Sequence, residues 1–154
     1  MTEVILEKLG SAEFLVLTAD ADWAAAKSER DVPVLVGDSS DEETLLRAQI
    51  EDAAAVLVAI NNDPEDALAV LTARQLNPNI WIIAGATNRE NIEKLRRVGA
   101  DVGISPATIG GHLLVESAFG NVGMESVAKL IVVTEELPAP EDARTASTER
   151  IHSQ

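Results

Sequence analysis

Residues 53–84 read AAAVLVAINNDPEDALAVLTARQLNPNIWIIA, and this stretch decides the fold. An apolar run over 53–60 is followed by three polar residues, by a segment with helical spacing over 64–76 that begins with Pro64, and by a second apolar run over 79–84. Proline is favoured in the first turn of a helix, and two strands joined through a helix lie parallel. The stretch therefore predicts a strand, a helix and a parallel strand.

The same alternation continues on both sides of this unit. Further strands are predicted over 14–17, 32–36 and 102–104, and further helices over 2–9, over 23–30, after Ser40, after Asn88 and over 106–119. Because each strand is apolar on both faces, the pattern predicts an α/β domain with a doubly wound parallel sheet covered by helices on both sides. Ser40 is the expected cap of the third helix, and Asp22 is a better candidate than Asp20 to cap the second.

Composition excludes several classes of function. The 154 residues carry 26 acidic and 12 basic side chains, and the resulting charge of −14 disfavours binding to nucleic acid or to an anionic membrane. The longest apolar run has eight residues, against the ~20 needed to cross a bilayer. The N-terminus has no signal-peptide pattern, so we expect a cytoplasmic protein. Cysteine is absent, which excludes disulfides and thiolate chemistry. The acidic, arginine-biased composition resembles that of halophilic proteins.

The chain divides into three parts by composition. Residues 1–120 are expected to form the α/β domain, and 121–137 a connecting helix or strand. Residues 138–154 are rich in Pro, Ser, Thr, Ala and charge, a composition that does not bury an apolar core, so we expect a disordered tail.

Three stretches carry a family resemblance. They read VGDSSDE over 36–42, IEDA over 50–53 with NND over 61–63, and ENIEKLRRVGAD over 90–101 with ISP over 104–106. In order and spacing they resemble the N-terminal nucleotide-binding lobe of RCK (regulator of K⁺ conductance) domains, which gate prokaryotic potassium channels and transporters. The resemblance implies a Rossmann-like fold over about residues 2–119.

The chain also departs from that family. A first strand and a Gly-rich turn normally precede the helix with which this sequence begins, and a C-terminal ligand-binding lobe normally follows. We therefore expect a lobe that is incomplete at its N-terminus, because it is a fragment, because its start is misassigned, or because the subunit fills the gap in another way. The implied ligand is NAD(H) or an adenine nucleotide such as ATP or ADP. Binding is expected to be weak or absent, since the Gly-rich turn holds the phosphates.

The resemblance assigns nucleotide contacts to residues that follow the strands. These are Asp20, Gly37, Asp38, Ser39, Ala59, Asn61 and Asn62. The Asp20 carboxylate is placed to accept hydrogen bonds from ribose hydroxyls, the 37–39 turn to contact adenine, and the 59–62 segment to lie beside ribose and phosphates. Helix caps and tight turns need the same residue types, so the structural roles stay open.

No metal site is predicted. Calcium-gated relatives carry carboxylates where this chain has Ala59, Gly85 and Thr87, and a hard cation needs several oxygen ligands. His112 and His152 share no metal-ligand spacing.

The last helix is more apolar than one sheet face requires. In the family, the matching helix packs on a second subunit, which here implies an interface through Ile109, Leu113, Leu114 and Phe119. A fully buried core helix is the alternative.

These features together imply a non-enzymatic gating domain of a potassium channel or K⁺ transport system, controlled by nucleotide binding and by rearrangement of a homo-oligomer. Its expected partners are the membrane subunit and further copies of the chain, not nucleic acid. An NAD(P)-dependent or nucleotide-sugar enzyme of the same fold is one alternative, disfavoured because Tyr, Cys and a clustered acid/base pair are lacking. An oligomerisation module that no longer binds nucleotide is the other.

Overall fold

Helices and strands alternate along the chain, as predicted. The computed structural model describes residues 2–10, 12–118 and 132–133. Its elements are α1 (Thr2–Leu9), β1 (Val16–Thr18), α2 (Ala21–Ser28), β2 (Val34–Val36), α3 (Glu42–Arg47), β3 (Ala55–Val58), α4 (Asp63–Leu76), β4 (Trp81–Gly85), a 3-10 turn (Arg89–Asn91), α5 (Ile92–Arg97), β5 (Val102–Ile104), α6 (Pro106–Ala118) and β6 (Val132–Val133). The expected connector and tail otherwise lie outside the described residues. Within the described ranges, no helix combines the length and apolarity that a membrane span requires.

The strands form two sheets. β1 and β2 make a parallel pair, and β3, β4 and β5 make a second parallel set. β6 adds to β5 in the antiparallel direction, and it lies in the 121–137 segment for which a helix or a strand was expected. Among the described residues, no strand is hydrogen-bonded between β1 and β3. That interval is where the Rossmann-like order of strands places the first strand of the family.

The main core lies on one face of the larger sheet. Helices α3, α4 and α5 pack there, and Val70, Ile82 and Leu95 are almost completely buried. Among the described residues the two faces of this sheet are covered unevenly. Along β4, Ile82 is buried while its neighbours are only half-buried, and Leu57 on β3 is 50% exposed. The described part of α6 contains no buried residue, so this helix covers its side incompletely.

A charged network closes the carboxyl end of α4. The Arg74 guanidinium donates to the carbonyl oxygens of Pro78, Ile80 and Gly99 and to Asp101 Oδ2 at 2.7 Å. Gly99 has φ +125°, and a Cβ there would lie 3.1 Å from Arg74 Cγ. A glycine is therefore needed both for the backbone conformation and for the close approach of the arginine. These contacts account for Gly99 and Asp101 in the 90–101 stretch.

Side-chain contacts connect the smaller sheet to this core. Thr72 Oγ1 on α4 donates to the carbonyl of Ser40, in the turn that follows β2, at 3.1 Å. Leu17 of β1 packs against the buried cluster. Side-chain contacts therefore join the smaller sheet to the core, while the described strands of the two sheets share no backbone pairing.

Candidate functional site

Two groups of candidate residues, Asp20 and the 37–39 turn, follow the neighbouring strands β1 and β2. Gly37 N donates to the Thr18 carbonyl at 2.9 Å, which joins the ends of β1 and β2. Asp20 follows β1 by two residues, and Asp38 follows β2 by two. The structure therefore brings Asp20 and the 37–39 turn to the same edge.

Asp20 caps α2. Its backbone is extended, and its Oδ1 accepts a hydrogen bond from Trp23 N at 2.9 Å. The preference for Asp22 as the cap is wrong, because Asp22 already lies in the first helical turn. The Asp20 side chain is exposed.

Gly37 permits a close approach between β2 and α3. A Cβ at this position would lie 2.5 Å from Thr44 Cγ2. The glycine is thus explained by packing, and this explanation requires no ligand.

Asp38 organises the turn that follows. Its Oδ1 accepts hydrogen bonds from Ser40 Oγ at 2.7 Å and from Ser40 N at 2.8 Å, and these bonds lower the pKa of Asp38. The prediction that Ser40 caps α3 is wrong. Asp41 is the cap, since its Oδ2 accepts from Thr44 N at 2.9 Å, while Ser40 closes the Asp38 turn.

The third group of candidates, residues 59–62, follows β3 at the carboxyl edge of the larger sheet. Asn61 adopts φ +64° after β3 and lines a cavity of about 240 Å³ with Ala86, Thr87, Pro106 and Ala107. Asn61 was predicted as a site residue, Thr87 was named only as a position that lacks a metal-binding carboxylate, and the other three were not predicted. These residues follow β4 and β5, and the carboxyl ends of parallel strands share an edge. Their position in the sequence could therefore have identified them as neighbours of Asn61. Ala59 is half-buried, and Asn62 Nδ2 donates to Glu65 Oε1 at 2.8 Å.

Two aspartates at the start of α4, for which no role was predicted, fix these loops. Asp63 Oδ1 accepts from Thr87 N at 2.8 Å, and its Oδ2 accepts from Asn91 Nδ2. Partial burial raises the pKa of Asp63, but the hydrogen bonds outweigh it, and the net shift is downward. Asp66 is fully buried, its Oδ1 accepts from Ile60 N at 2.8 Å, and its Oδ2 has no hydrogen-bond partner among the described residues. Burial raises the pKa of Asp66.

Metal ligands are not clustered in the part of the chain that is described: no three His, Cys, Asp or Glu side chains are grouped so as to hold an ion. His112 instead lies 3.2 Å from Glu116 across one turn of α6.

The described part of α6 presents apolar side chains to solvent. Leu114 is 75% exposed and Val115 58% exposed, whereas Ile109 and Leu113 are half-buried. The alternative of a fully buried core helix is therefore wrong. Phe119 lies outside the described residues, and the subunit interface remains a prediction.

The chain matches a known family and several curated proteins. Residues 1–106 match the model of the TrkA-N domain. Potassium channel protein 1 of Methanocaldococcus jannaschii is 29% identical over 126 residues, which cover 80% of this chain and 38% of that protein. Probable potassium channel protein 2 of the same organism is 42% identical over 82 residues, which cover 53% and 24%. The chain thus spans well under half the length of these relatives.

Solved structures support the same assignment. The TrkA-N domain of inner membrane protein ybaL from Escherichia coli superposes with a TM-score of 0.69 at 25% identity, over 75% of this chain and 87% of that one. The GsuK channel bound to NAD superposes with a TM-score of 0.63 at 29% identity, over 70% of this chain and 20% of that one. These matches confirm the Rossmann-like fold and the RCK resemblance, and with the family model matched over residues 1–106 the chain belongs to the TrkA-N domain family.

Proposed function

We propose that this chain is a nucleotide-binding regulatory domain of a potassium channel or K⁺ transport system, and that it is not an enzyme. The observation that carries the proposal is the TrkA-N match together with the likeness to GsuK, a channel solved with NAD and also with ADP. The domain would work on the cytoplasmic side, beside a membrane subunit.

The proposed site follows the strand ends. Asp20 and the 37–39 turn would hold the adenosine, and the 59–62 segment would lie beside the ribose and the phosphates. The Asp20 cap uses one carboxylate oxygen, so the capping role and a ribose contact are compatible. A ligand over both groups would bridge the two sheets and favour one arrangement of them, which is how binding would reach a partner subunit.

We also propose that this chain forms homo-oligomers through α6. The exposed Leu114 and the half-buried Ile109 and Leu113 would form the contact. An apolar helix face left in water is a characteristic of an interaction surface. Residues 1–120 would form the domain, with the residues after it serving as connector and tail.

Calorimetric titration of NAD, ATP and ADP tests the nucleotide proposal. We expect weak binding, because the chain has no Gly-rich turn to supply charge-assisted hydrogen bonds to phosphate. Asp20→Ala and Asp38→Ala should abolish it, whereas Asp52→Ala should not. Asp52 is an exposed acid just before β3, at the opposite edge of the sheet. Tight binding that neither variant reduces would contradict the proposed site. A version with a grafted first strand and Gly-rich turn should bind more tightly.

A further inference from the structure

Two strands direct backbone groups into the interval between β1 and β3. Along a strand in a parallel ladder, the N–H and C=O groups of successive residues point to opposite sides. Val16 N donates to a carbonyl beside β2 at 2.9 Å, and the Ala54 carbonyl accepts from the first residue of β4 at 3.3 Å. The N–H and C=O groups of Leu17 on β1 and of Leu57 on β3 therefore point the other way, into the interval.

These backbone groups are unpaired. Among the residues that the structure describes, the N–H and C=O groups that Leu17 and Leu57 direct into the interval have no hydrogen-bond partner. Unpaired backbone groups at a partly buried position cost free energy, and Leu17 is half-buried. Both sides of the interval thus offer donors and acceptors with the spacing of a β-ladder, and an extended polypeptide is the ligand that matches both.

The side chains beside the interval are apolar on both faces of the sheet. Leu17 and Val56 pack against the buried cluster under helices α3, α4 and α5. Leu57 points to the opposite face and is 50% exposed. A strand with apolar neighbours on both faces is itself apolar on both faces. Since β1 has three residues and β3 has four, about four apolar residues would fill the interval.

Acidic side chains precede both bordering strands. Glu13 lies before β1, Glu51 and Asp52 lie before β3, and all three are exposed. Neither residues 9–26 nor residues 48–73 contain a Lys or an Arg. The amino edge of the interval therefore attracts a segment that enters with basic residues and repels one that enters with acidic residues.

We propose that the interval between β1 and β3 binds an extended segment of a second, different polypeptide, which inserts as a strand parallel to both. The segment has about four apolar residues preceded by basic residues, and main-chain hydrogen bonds on both sides provide its affinity. A second copy of this chain is a poor donor, because every strand that the structure describes is already hydrogen-bonded within its own sheet. Insertion would join the two sheets into one ladder, and it does not require the proposed nucleotide site.

Fluorescence anisotropy of a labelled peptide measures this binding to the full chain. The probe KKVIVVGG has two lysines, four apolar residues and two glycines, and we expect it to saturate at one peptide per chain. KKVPVPGG keeps the charge but lacks two N–H donors, so it should bind at least ~10-fold more weakly. EEVIVVGG should also bind more weakly, because its glutamates meet the acidic edge.

A matched pair of proline variants tests the position. Leu57→Pro removes an N–H group that points into the interval. Gly37 N donates to the Thr18 carbonyl, so the N–H group of the preceding Val36 points to the outer edge of β2, and Val36→Pro removes that one. Proline is tolerated in edge strands where the N–H side is unpaired. Leu57→Pro should lose the binding of KKVIVVGG, and Val36→Pro should keep it. Should Leu57→Pro fail to fold, the two peptides and the unchanged chain still provide the test.

Hydrogen exchange followed by nuclear magnetic resonance locates the bound peptide. The amides of Leu17 and Leu57 should exchange rapidly in the chain alone and at least ~10-fold more slowly with KKVIVVGG bound, while the Val36 amide should not change. Absence of binding, or equal binding of KKVPVPGG, would overturn the proposal. Slow exchange of Leu17 and Leu57 without peptide would also overturn it, since the chain would then fill the interval itself. Protection of Val36 instead of Leu17 would place the peptide elsewhere and contradict the proposed interval.

Discussion

Replacing Arg74 with alanine removes the group that closes one end of the core. The guanidinium binds three backbone carbonyls and Asp101, and Asp101 also accepts from Ile82 N at 2.7 Å. The substitution removes the donor to three backbone carbonyls and the ion pair between Arg74 and Asp101. Because both side chains of the ion pair are only 24% exposed, water restores these interactions incompletely.

The expected loss of unfolding free energy is about 2–4 kcal/mol. A hydrogen bond to a charged group contributes about 1.5–3 kcal/mol, and breaking a buried pair costs about 3–5 kcal/mol. The ion pair is partly exposed, and the contributions of bonds within one network are not additive. The expected loss therefore lies between the contribution of one hydrogen bond and the sum of all of them. Arg74→Lys keeps the charge but not the planar set of guanidinium N–H donors. Its loss of unfolding free energy should be about half that of Arg74→Ala.

Urea unfolding followed by tryptophan fluorescence measures these losses, since Trp81 lies on β4 beside the network. Arg97→Ala is the control: Arg97 is an exposed arginine on α5, and charged side chains at such surface positions contribute about 0–1 kcal/mol. If Arg74→Ala loses no more than Arg97→Ala, the network does not stabilise the fold. Should Arg74→Ala fail to fold, Arg74→Lys provides the measurement.

Three further outcomes are expected. Leu114→Glu should shift the chain toward monomer in analytical ultracentrifugation, whereas Leu68→Glu, at a 53% exposed position on α4, should not; the reverse result would move the interface to α4. Burial raises the pKa of Asp66, so the folded state holds that proton more tightly, and its stabilising contribution is lost as pH rises above 3.8. Asp66→Asn should therefore gain stability relative to the wild type between acid and neutral pH in urea unfolding, and parallel pH curves would contradict this. The melting temperature should rise from low salt to molar KCl as repulsion within the −14 chain is screened, and an unchanged value would contradict the halophilic interpretation.

The fold class could be predicted because it depends on patterns that extend over whole elements. Apolar runs separated by helical segments indicate parallel strands, and all five predicted strands are present. The helix caps were harder to predict from the sequence. Asp20 and Asp22, or Ser40 and Asp41, are equally suitable by type, and the choice depends on which residue keeps an extended backbone at the helix start.

The candidate site could be predicted only where residues follow a strand directly. Asn61 was found in this way, but Asp66 lies one helical turn further on and reaches the strand end by folding back onto Ile60 N. The burial of Asp66 depends on how α4 packs on the sheet, and no local sequence pattern indicates that packing. The same holds for Arg74, whose partners lie up to 27 residues away.

The two sheets have separate ladders of backbone hydrogen bonds, and this bears on how the domain opens. β1, β2 and α2 can lose their ladder without breaking any pairing of β3, β4 or β5. Regions with their own hydrogen bonds and few buried contacts open independently and at lower free energy than the whole domain. The amide hydrogens of Thr18 and Leu35, which the parallel register places in the ladder between β1 and β2, should therefore exchange with deuterium faster than those of Ile82 and Ala84.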